Sequence, residues 1–492
     1  MKLTKRVAAT VLGGAAVAAT VMVALPADAA AKGTVYVVDK SVVAMVDNSG
    51  RAHNVSITRS GRTITVDDVV GITAGAGCAK VDGTKVRCAL KVDPSRIRVQ
   101  FGPKNDTLVN RTDVAITARG GAGADRLTGG SRADLLEGDA GTDAIWGMGG
   151  NDNIEGHDGN DALSGGDGND SVRGGDGGDK LYGGNGADVI DDQGGNDRVY
   201  GGNGNDMLFA GLGNDIFDAG PGDDEIRHTD DSPGADADSF IGGTGLDFVS
   251  YEWITKPVVA DADAVRGDDG RAGEHDTIGA SVEGIIGGFG NDRLIGTARR
   301  DWLAGGPGND VVAGSAGDDI LSGGPGRDYV SGAAGNDMLY GDEQLDMYPV
   351  AADTLLGGPG RDTVNYGAYT RPLTIDLDGA AGDDGQAGER DTVGADVEDV
   401  YGGAGNDRIT GNAAANNLDG DGGNNVIRGG GGNDNLTATD GLNYFYGDAG
   451  NDRINTNDRD KDDHVNAGDG TGDHCIADAG DAIGNCEKVE RY

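Results

Sequence analysis

Aspartate recurs at every ninth residue over a long central stretch of the chain. Twelve consecutive nine-residue units run from Gly120 to Arg227, and the sixth place of every unit is an aspartate. Carboxylates held in register repel one another unless a cation lies between them, so the spacing favours cation binding over acid–base catalysis. The twelve candidate metal ligands are Asp125, Asp134, Asp143, Asp152, Asp161, Asp170, Asp179, Asp188, Asp197, Asp206, Asp215 and Asp224.

Calcium is the cation that suits this pattern best. It is a hard dication that takes about six to eight oxygen ligands, which carboxylates and the backbone carbonyls of glycine-rich turns supply. Magnesium requires a tighter octahedron and retains its water, so it suits the pattern less well. The chain of 492 residues has a formal net charge of −43. That charge favours cations as partners and argues against nucleic acid and anionic membrane surfaces.

The other places of the unit predict how the aspartates are positioned. The unit reads G-G-x-G-x-D-x-U-x, where U is apolar in all twelve units, from Leu127 to Ile226. The fourth place is glycine in eleven units, and Arg132 is the exception. Glycine permits positive φ, so the first six residues predict a tight turn and the last three a short strand. Two units then form one coil, with apolar side chains between two parallel sheets and aspartates along each edge.

This nonapeptide resembles the repeat of the repeats-in-toxin (RTX) family. Units such as GGDGNDSVR (165–173), GGNGNDMLF (201–209) and GGPGNDVVA (305–313) carry the resemblance, which covers roughly Gly120 to Asn455. It implies an all-β fold, a right-handed parallel β-roll in several segments. It also implies that multiple calcium ions bind between successive turns on the same side of the roll.

Further units extend the pattern towards the C-terminus. Two blocks of six units span Gly287–Tyr340 and Gly402–Asn455, and single units occur at Gly242–Ser250 and Gly357–Asn365. They add the candidate ligands Asp247, Asp292, Asp301, Asp310, Asp319, Asp328, Asp337, Asp362, Asp407, Asp434 and Asp452. In the last block Asn416, Asn425 and Asn443 replace the acid, which predicts weaker binding because an amide oxygen carries no charge. Arg299, like Arg132, stands in a fourth place, so the turns of these two units need not follow the pattern.

Two longer segments between the blocks match each other. Residues in the first recur 115 positions later, as in the pairs Tyr251 and Tyr366, Glu274 and Glu389, Asp276 and Asp391, and Glu283 and Glu398. The alternating pattern of residues 373–378 predicts a half-buried strand. The shared acidic clusters are either extra cation sites or, as we favour, part of a strand-and-turn seam with a solvated acidic loop.

The ends of the chain indicate export. A basic start, the apolar run Val7–Leu25 and an alanine-rich end predict a secretory signal peptide over residues 1–31, with a retained membrane anchor as the alternative. We therefore expect a secreted, extracellular protein without membrane insertion. In that setting Cys78 with Cys88, and Cys475 with Cys486, predict two local disulfides. A zinc site is the weaker interpretation, because neither pair has CxxC spacing.

The sequence accordingly divides into eight parts. A signal peptide (1–31) precedes a small β-rich N-terminal domain or cap (32–118), and a disulfide-closed cap (456–492) ends the chain. Three RTX blocks lie between them at 119–227, 287–348 and 402–455, separated by inserts at 228–286 and 349–401 that each carry one unit.

No motif indicates an enzyme. The sequence has neither the H-E-x-x-H helix of zinc proteases nor the G-x-S-x-G turn of serine hydrolases, and its six histidines are scattered. We therefore expect a secreted calcium-binding protein that acts as a structural or adhesive module. The alternatives are calcium-dependent recognition of an extracellular glycan or cell-surface component and, less favoured, a degenerate hydrolase or epimerase.

Overall fold

A computed structural model of the protein describes residues 33–47, 49–229, 231, 236–342, 350–456 and 463–492. Throughout these residues the regular secondary structure is β-strand, in agreement with the predicted all-β fold. The predicted signal peptide lies outside the described residues. Within the part of the chain that is described, no helix is long and apolar enough to cross a membrane.

The N-terminal region contains nine strands, some of them antiparallel. Strand β3 pairs antiparallel with β4, and β4 with β7, whereas β9 pairs in parallel with β3. The strands are β1 (Thr34–Val37), β2 (Val42–Val46), β3 (Asn54–Ser60), β4 (Thr63–Asp67), β5 (Thr73–Ala74), β6 (Cys78–Lys80), β7 (Lys85–Ala89), β8 (Arg96–Gln100) and β9 (Thr107–Asn110).

The first block and its single unit form fifteen strands that stack strictly in parallel. Each strand pairs with the strand one coil away, so Ile154 faces Val172 and Leu163 faces Leu181. The strands are β10 (Ile116–Ala122), β11 (Arg126–Thr128), β12 (Leu135–Ala140), β13 (Ala144–Gly149), β14 (Asn153–Asp158), β15 (Ala162–Asp167), β16 (Ser171–Asp176), β17 (Lys180–Asn185), β18 (Val189–Gly194), β19 (Arg198–Asn203), β20 (Met207–Ala210), β21 (Ile216–Pro221), β22 (Glu225–His228), β23 (Ser239–Thr244) and β24 (Phe248–Ser250).

Shorter strands follow in the rest of the first insert, in the second block and in the first part of the second insert. They are β25 (Val258–Asp261), β26 (Gly270–Arg271), β27 (Thr277–Ile278), β28 (Gly284–Ile286), β29 (Arg293–Ile295), β30 (Trp302–Ala304), β31 (Val311–Ala313), β32 (Ile320–Ser322), β33 (Tyr329–Ser331), β34 (Met338–Tyr340), β35 (Thr354–Leu356) and β36 (Thr363–Asn365).

The second insert, third block and C-terminal segment complete the chain. Their strands are β37 (Leu373–Asp376), β38 (Gly385–Gln386), β39 (Thr392–Val393), β40 (Asp399–Tyr401), β41 (Arg408–Thr410), β42 (Asn417–Asp419), β43 (Val426–Arg428), β44 (Asn435–Thr437), β45 (Tyr444–Tyr446), β46 (Arg453–Thr456), β47 (His464–Asn466), β48 (His474–Ala477), β49 (Ala482–Gly484) and β50 (Lys488–Arg491).

One face of the roll is continuous, whereas the other is interrupted. Parallel pairing passes from β24 to β28 and from β36 to β40, so the first face crosses both inserts without a break. The second face ends at β27 and again at β39, and new sheets begin at β25 and β37. In each insert the new sheet starts with an antiparallel pair, β25 with β26 and β37 with β38.

Two columns of apolar side chains, one from each sheet, form the core between the two faces. The eighth-place residues are fully buried, for example Leu127, Val172 and Phe217 at 0% exposure. The same core extends into the N-terminal region through Val55 and Leu108. Burial of an aliphatic side chain contributes about 1.5–3 kcal/mol, so one such residue per nine gives only a thin core.

Both predicted disulfides are confirmed. Cys78 bonds to Cys88 across the antiparallel pair β6–β7, and Cys475 bonds to Cys486 near the C-terminus. The predicted strand at residues 373–378 is also present as β37, with Leu373 and Ile375 buried.

Candidate calcium centre

Stacked turns at the edges of the sheets position the aspartates. In the fourth place, Gly168 has φ +136°, and a Cβ atom there would lie 1.6 Å from the carbonyl oxygen of Gly150 one coil earlier. A side chain is therefore excluded at this place by both backbone conformation and contact. The second place is also left-handed, yet residues other than glycine occupy it in some units, such as His157 (φ 74°) and Met148 (φ 80°).

One oxygen of each aspartate forms a ladder along the edge of the roll. Asp143 Oδ1 accepts the backbone N–H of Asp125 at 2.7 Å, and Asp161 Oδ1 accepts that of Asp143 at 2.7 Å. The bond repeats every 18 residues, once per coil. Successive units alternate between the two edges, which gives a first ladder through Asp125 and Asp143 and a second ladder through Asp134 and Asp152.

The other oxygen, Oδ2, is buried and lacks a hydrogen-bond partner along most of both ladders. Each of these residues is at most a few per cent exposed. Such a buried anionic oxygen is costly unless a positive group lies beside it. Among the predicted ligands, those with this unpartnered atom are Asp125, Asp143, Asp152, Asp161, Asp170, Asp179, Asp188, Asp197, Asp206, Asp215, Asp224, Asp247, Asp310, Asp319, Asp328, Asp337, Asp362, Asp434 and Asp452.

A backbone carbonyl flanks the same space as the unpartnered oxygen. A Cβ atom added to the first-place Gly183 would lie 2.4 Å from Asp188 Oδ2 and 2.4 Å from the carbonyl oxygen of Gly201. Two oxygens therefore converge beside a glycine that leaves them uncovered. Burial raises the pKa of Asp188 to about 6 and that of Asp179 to about 7. Carboxylate and carbonyl oxygens are the ligands that Ca²⁺ prefers, and its charge restores the ionised state.

A family model for the RTX calcium-binding nonapeptide repeat matches residues 119–154, 155–190, 191–226, 286–321, 313–348, 351–368, 392–427 and 428–458. These matches cover more than half of the chain. The chain belongs to the RTX calcium-binding repeat family. No curated protein matches the sequence. The RTX repeats make it a calcium-binding repeat protein and account for the parallel roll.

Four predicted ligands of this RTX roll differ from the rest, because both of their oxygens accept hydrogen bonds. Asp134 Oδ2 accepts the N–H of the second-place residue of its own turn, Gly130, at 2.6 Å. Here the second-place residue is not left-handed. We call such a turn closed. The other three closed turns belong to Asp292, Asp301 and Asp407, whose Oδ2 atoms accept the N–H groups of Gly288, Thr297 and Gly403, respectively.

The closed turns share one position in the fold. Each is the first nonapeptide turn on its edge after a non-repeat segment, so no repeat turn lies one coil before it. Asp134 Oδ1 accordingly accepts the N–H of Ile116, and Asp292 Oδ1 accepts that of Val258. Arg132 and Arg299 both lie in such units, and neither has positive φ. Arginine thus occupies the fourth place where the regular turn is absent.

Asparagine in the third block shows what the second oxygen of aspartate faces. Asn425 Oδ1 accepts the N–H of Asp407 at 2.8 Å, as an aspartate would. Its Nδ2 donates to the third- and fourth-place carbonyls of its own turn, Gly422 and Gly423, at 3.4 and 3.5 Å. In an aspartate unit an oxygen replaces this N–H group. A cation between that oxygen and the carbonyls would take over the role of the amide protons.

Sequence analysis missed several members of the ladders. Asp106 Oδ1 accepts the N–H of His53, and its own N–H binds Asp125 Oδ1, so Asp106 begins the first ladder. Asp238 and Asp353 continue the ladders after Asp215 and Asp328. None of the three has the full glycine turn before it. The signal that would have found them is the pair of an aspartate and an apolar residue two places later.

Glutamates end the second-edge ladders. Glu283 Oε2 accepts the N–H of Asp247 at 3.1 Å, and Glu398 Oε2 accepts that of Asp362 at 2.9 Å. Near the C-terminus Glu487 does the same for Asp473 at 3.0 Å. Each closes the last turn before a seam or the end of the roll.

One ladder position carries an extra carboxylate. Asp192 occupies a first place that is usually glycine, is fully buried, and has an unpartnered Oδ2. Carboxylate oxygens of Asp192, Asp197 and Asp215 lie within 4.8 Å of one another. Burial and the neighbouring Asp215 carboxylate raise the pKa of Asp192 well above its usual range. Three carboxylate groups therefore converge at this position of the first ladder.

Proposed function

We propose that this RTX protein is secreted and folds on calcium outside the cell, where the roll serves as a structural or adhesive module. The observation that carries the proposal is the row of buried Oδ2 atoms without a hydrogen-bond partner, as at Asp161 and Asp179. A dication between each of these oxygens and the carbonyls beside it supplies both the missing contact and the missing charge. The ladder aspartates with such an atom are the proposed calcium ligands.

Calcium binding is coupled to folding in this proposal. The net charge of −43 and the thin core leave the calcium-free roll unstable. Ions that bind only the folded roll add their binding free energy to its stability. Extracellular calcium modules bind with Kd values of about 10⁻⁴–10⁻³ M. The chain would therefore stay unfolded in a low-calcium cytoplasm and fold after export.

The test is a far-UV circular dichroism titration of residues 32–492, the chain after the proposed signal peptide. We expect a cooperative gain of β signal in millimolar calcium that a chelator reverses and magnesium does not reproduce. A full β signal in chelator would contradict calcium-coupled folding. Export is tested separately, by detecting the cleaved chain in the medium of cells that express the full sequence.

An exposed aromatic column favours recognition of a glycan surface as the second candidate. Trp146, Ser164, Tyr182 and Tyr200 occupy one register on the outside of the roll. Tyr182 and Tyr200 stack with their ring centroids 5.0 Å apart. Aromatic faces outside a core commonly bind ligands. Tyr182→Ser should then weaken retention of the calcium-loaded protein on a polysaccharide panel, whereas Tyr329→Ser, at an exposed tyrosine of the second block, should not.

A further inference from the structure

The two inserts hold equivalent groups of buried carboxylates. The first cluster comprises Asp236, Asp238, Glu274 and Asp276. The second comprises Asp353, Glu389 and Asp391 of the second insert together with Asp342 from the end of the second block. Asp238 and Asp353 are ladder members whose N–H groups bind Asp276 Oδ1 (3.0 Å) and Asp391 Oδ1 (3.1 Å). Except for the half-buried Asp342, all are less than 10% exposed. The two sites thus have the same backbone and nearly the same acids.

Basic side chains compensate the first cluster. The Arg271 guanidinium pairs with Glu274, and its Nε lies 2.5 Å from Glu274 Oε1. His228 Nε2 lies 3.6 Å from Asp238 Oδ2, and both residues are buried. The first cluster therefore contains its own positive charge.

Within the described part of the chain, the second cluster has no such compensation. Strand register places Gly341 where the first insert has His228, and the 115-residue offset places Gln386 where it has Arg271. Among the described residues, no basic side chain forms an ion pair with the second cluster. Residues 343–349, which follow Asp342, contain no lysine, arginine or histidine in the sequence. The same backbone therefore holds carboxylates without a counter-charge.

Oxygens converge in the second cluster. A Cβ atom at Gly385 would lie 2.6 Å from Glu389 Oε2 and 2.8 Å from Asp391 Oδ2. Two further oxygens, Asp353 Oδ2 and Gln386 Oε1, have no hydrogen-bond partner among the described residues, although their own residues are only 1% and 4% exposed. Because Gln386 lies outside the nonapeptide turns, its oxygen indicates a ligand independently of the ladders.

Two tyrosines orient these carboxylates without neutralising them. Tyr366 donates its hydroxyl to Asp391 Oδ2 at 2.9 Å, and Tyr369 donates to Glu389 Oε1 at 2.8 Å. Burial raises the pKa of Asp353 to about 9 and that of Asp391 to about 8. The ionised cluster is therefore unstable until a positive charge enters it.

We propose that the second insert binds one calcium ion through Asp342, Asp353, Glu389 and Asp391, with the side-chain oxygen of Gln386 as a further ligand. The first insert binds none, because the Arg271 guanidinium, paired with Glu274, occupies the electrostatic role of the ion. The site shares Asp353 with the ladder, but the proposal does not depend on ions at the nonapeptide turns. All its ligands are oxygens, as Ca²⁺ requires.

The decisive experiment counts calcium ions per folded chain by equilibrium dialysis and atomic emission, at a free calcium concentration that saturates the β signal. Gln386→Arg copies the first insert, in which arginine pairs with the glutamate three residues later. We expect it to lose one bound calcium with an unchanged β signal. Glu389→Gln, a nearly isosteric change, should lose the same ion if the arginine variant folds poorly.

Glu274→Gln is the matched control, because it alters the equivalent residue of the first insert. We expect its ion count to equal that of the unaltered chain. An unchanged count in folded Glu389→Gln, or an equal loss from Glu274→Gln, would overturn the proposal. If the ladders bound no calcium, the unaltered chain would hold a single ion that Gln386→Arg removes, so failure of the proposed function is distinguishable from failure of this site.

Discussion

The first and third blocks share one fold but differ in the chemistry of their ladders. Strand pairing and core positions follow the same register in both, as Val172 with Ile190 and Ile427 with Phe445 show. On the edge that begins at Asp407, the third block uses Asn425 and Asn443, whose amide groups bind carbonyls of their own turns. The first block has aspartate at every sixth place.

This difference separates the two tasks of the sixth-place side chain. The bond to the preceding N–H requires only an acceptor, and Asn425 makes it at 2.8 Å, as Asp188 does. The second atom decides whether the turn is complete by itself or requires a cation. We therefore expect aspartate to be required for calcium binding and not for the backbone geometry, and the third block to depend less on the ion.

Calcium removal should produce the largest difference between the first and third blocks. In chelator we expect the first block to lose its amide protection against hydrogen exchange, because its carboxylates lose their counter-ions. The asparagine edge of the third block should keep more protection, especially at strands β43 and β45. Mass spectrometry of peptides from both blocks measures the difference. Equal protection of both blocks in chelator would contradict the separation of tasks.

Acidification should partly replace calcium. Burial raises the pKa of Asp143 to about 7 and that of Asp328 to about 8, above the usual value of about 3.9 in an unfolded chain. The calcium-free folded roll therefore binds protons more tightly than the unfolded chain does. Its stability is fully present below about pH 4 and is lost as the pH rises through about 6–8.

Circular dichroism in chelator at a series of pH values measures this effect. The β signal should fall as the pH is raised. In parallel hydrogen-exchange experiments, peptides of the first block should lose the most amide protection, because Asn425 and Asn443 of the third block do not titrate. A β signal that is instead lost on acidification would show that the carboxylates are stabilised as anions without calcium.

Replacing one sixth-place acid by its amide, or the reverse, should shift the calcium dependence of one block towards that of the other. Asp179→Asn keeps the ladder acceptor but removes the charge, so we expect weaker calcium binding in the first block. An ion lost from a folded chain at about 100 times its Kd lowers the free energy of unfolding by about 2.7 kcal/mol. The midpoint of the calcium titration measures the shift.

Asn425→Asp is the reciprocal change and should make the third block more dependent on calcium. Both variants preserve side-chain volume, so a change in packing does not confound them. If the two shifts had the same sign, the charge of the second atom would not be the quantity that distinguishes the blocks.

A substitution in a closed turn should have the smallest effect on calcium binding. Asp134→Asn loses one of two accepted hydrogen bonds, from Ile116 or Gly130, and we expect a cost of about 1–3 kcal/mol in unfolding free energy. The number of bound ions should not change. A lost ion, counted by dialysis, would show that Asp134 is a ligand despite its closed turn.

The sequence by itself determined the nine-residue period, the residues of the core and the kind of ion that the repeat suits. Each of these depends on local pattern: an apolar side chain such as Leu163 must face inward, and a turn with glycine at Gly168 exposes carbonyls beside an aspartate. The cysteine pairs could likewise be assigned because each closes a short loop. The period and the apolar core residue recur in every unit, so the repetition made them readable.

Only the tertiary structure decided which aspartates keep an oxygen for a cation. Asp292 and Asp310 stand in units of the same pattern, yet Asp292 closes on its own turn because no repeat turn lies one coil before it. Likewise Asp106 joins the ladder although its turn is barely recognisable. What a carboxylate contacts depends on the neighbouring coil, which lies about 18 residues or an entire insert away, and a nine-residue pattern contains no information about that neighbour.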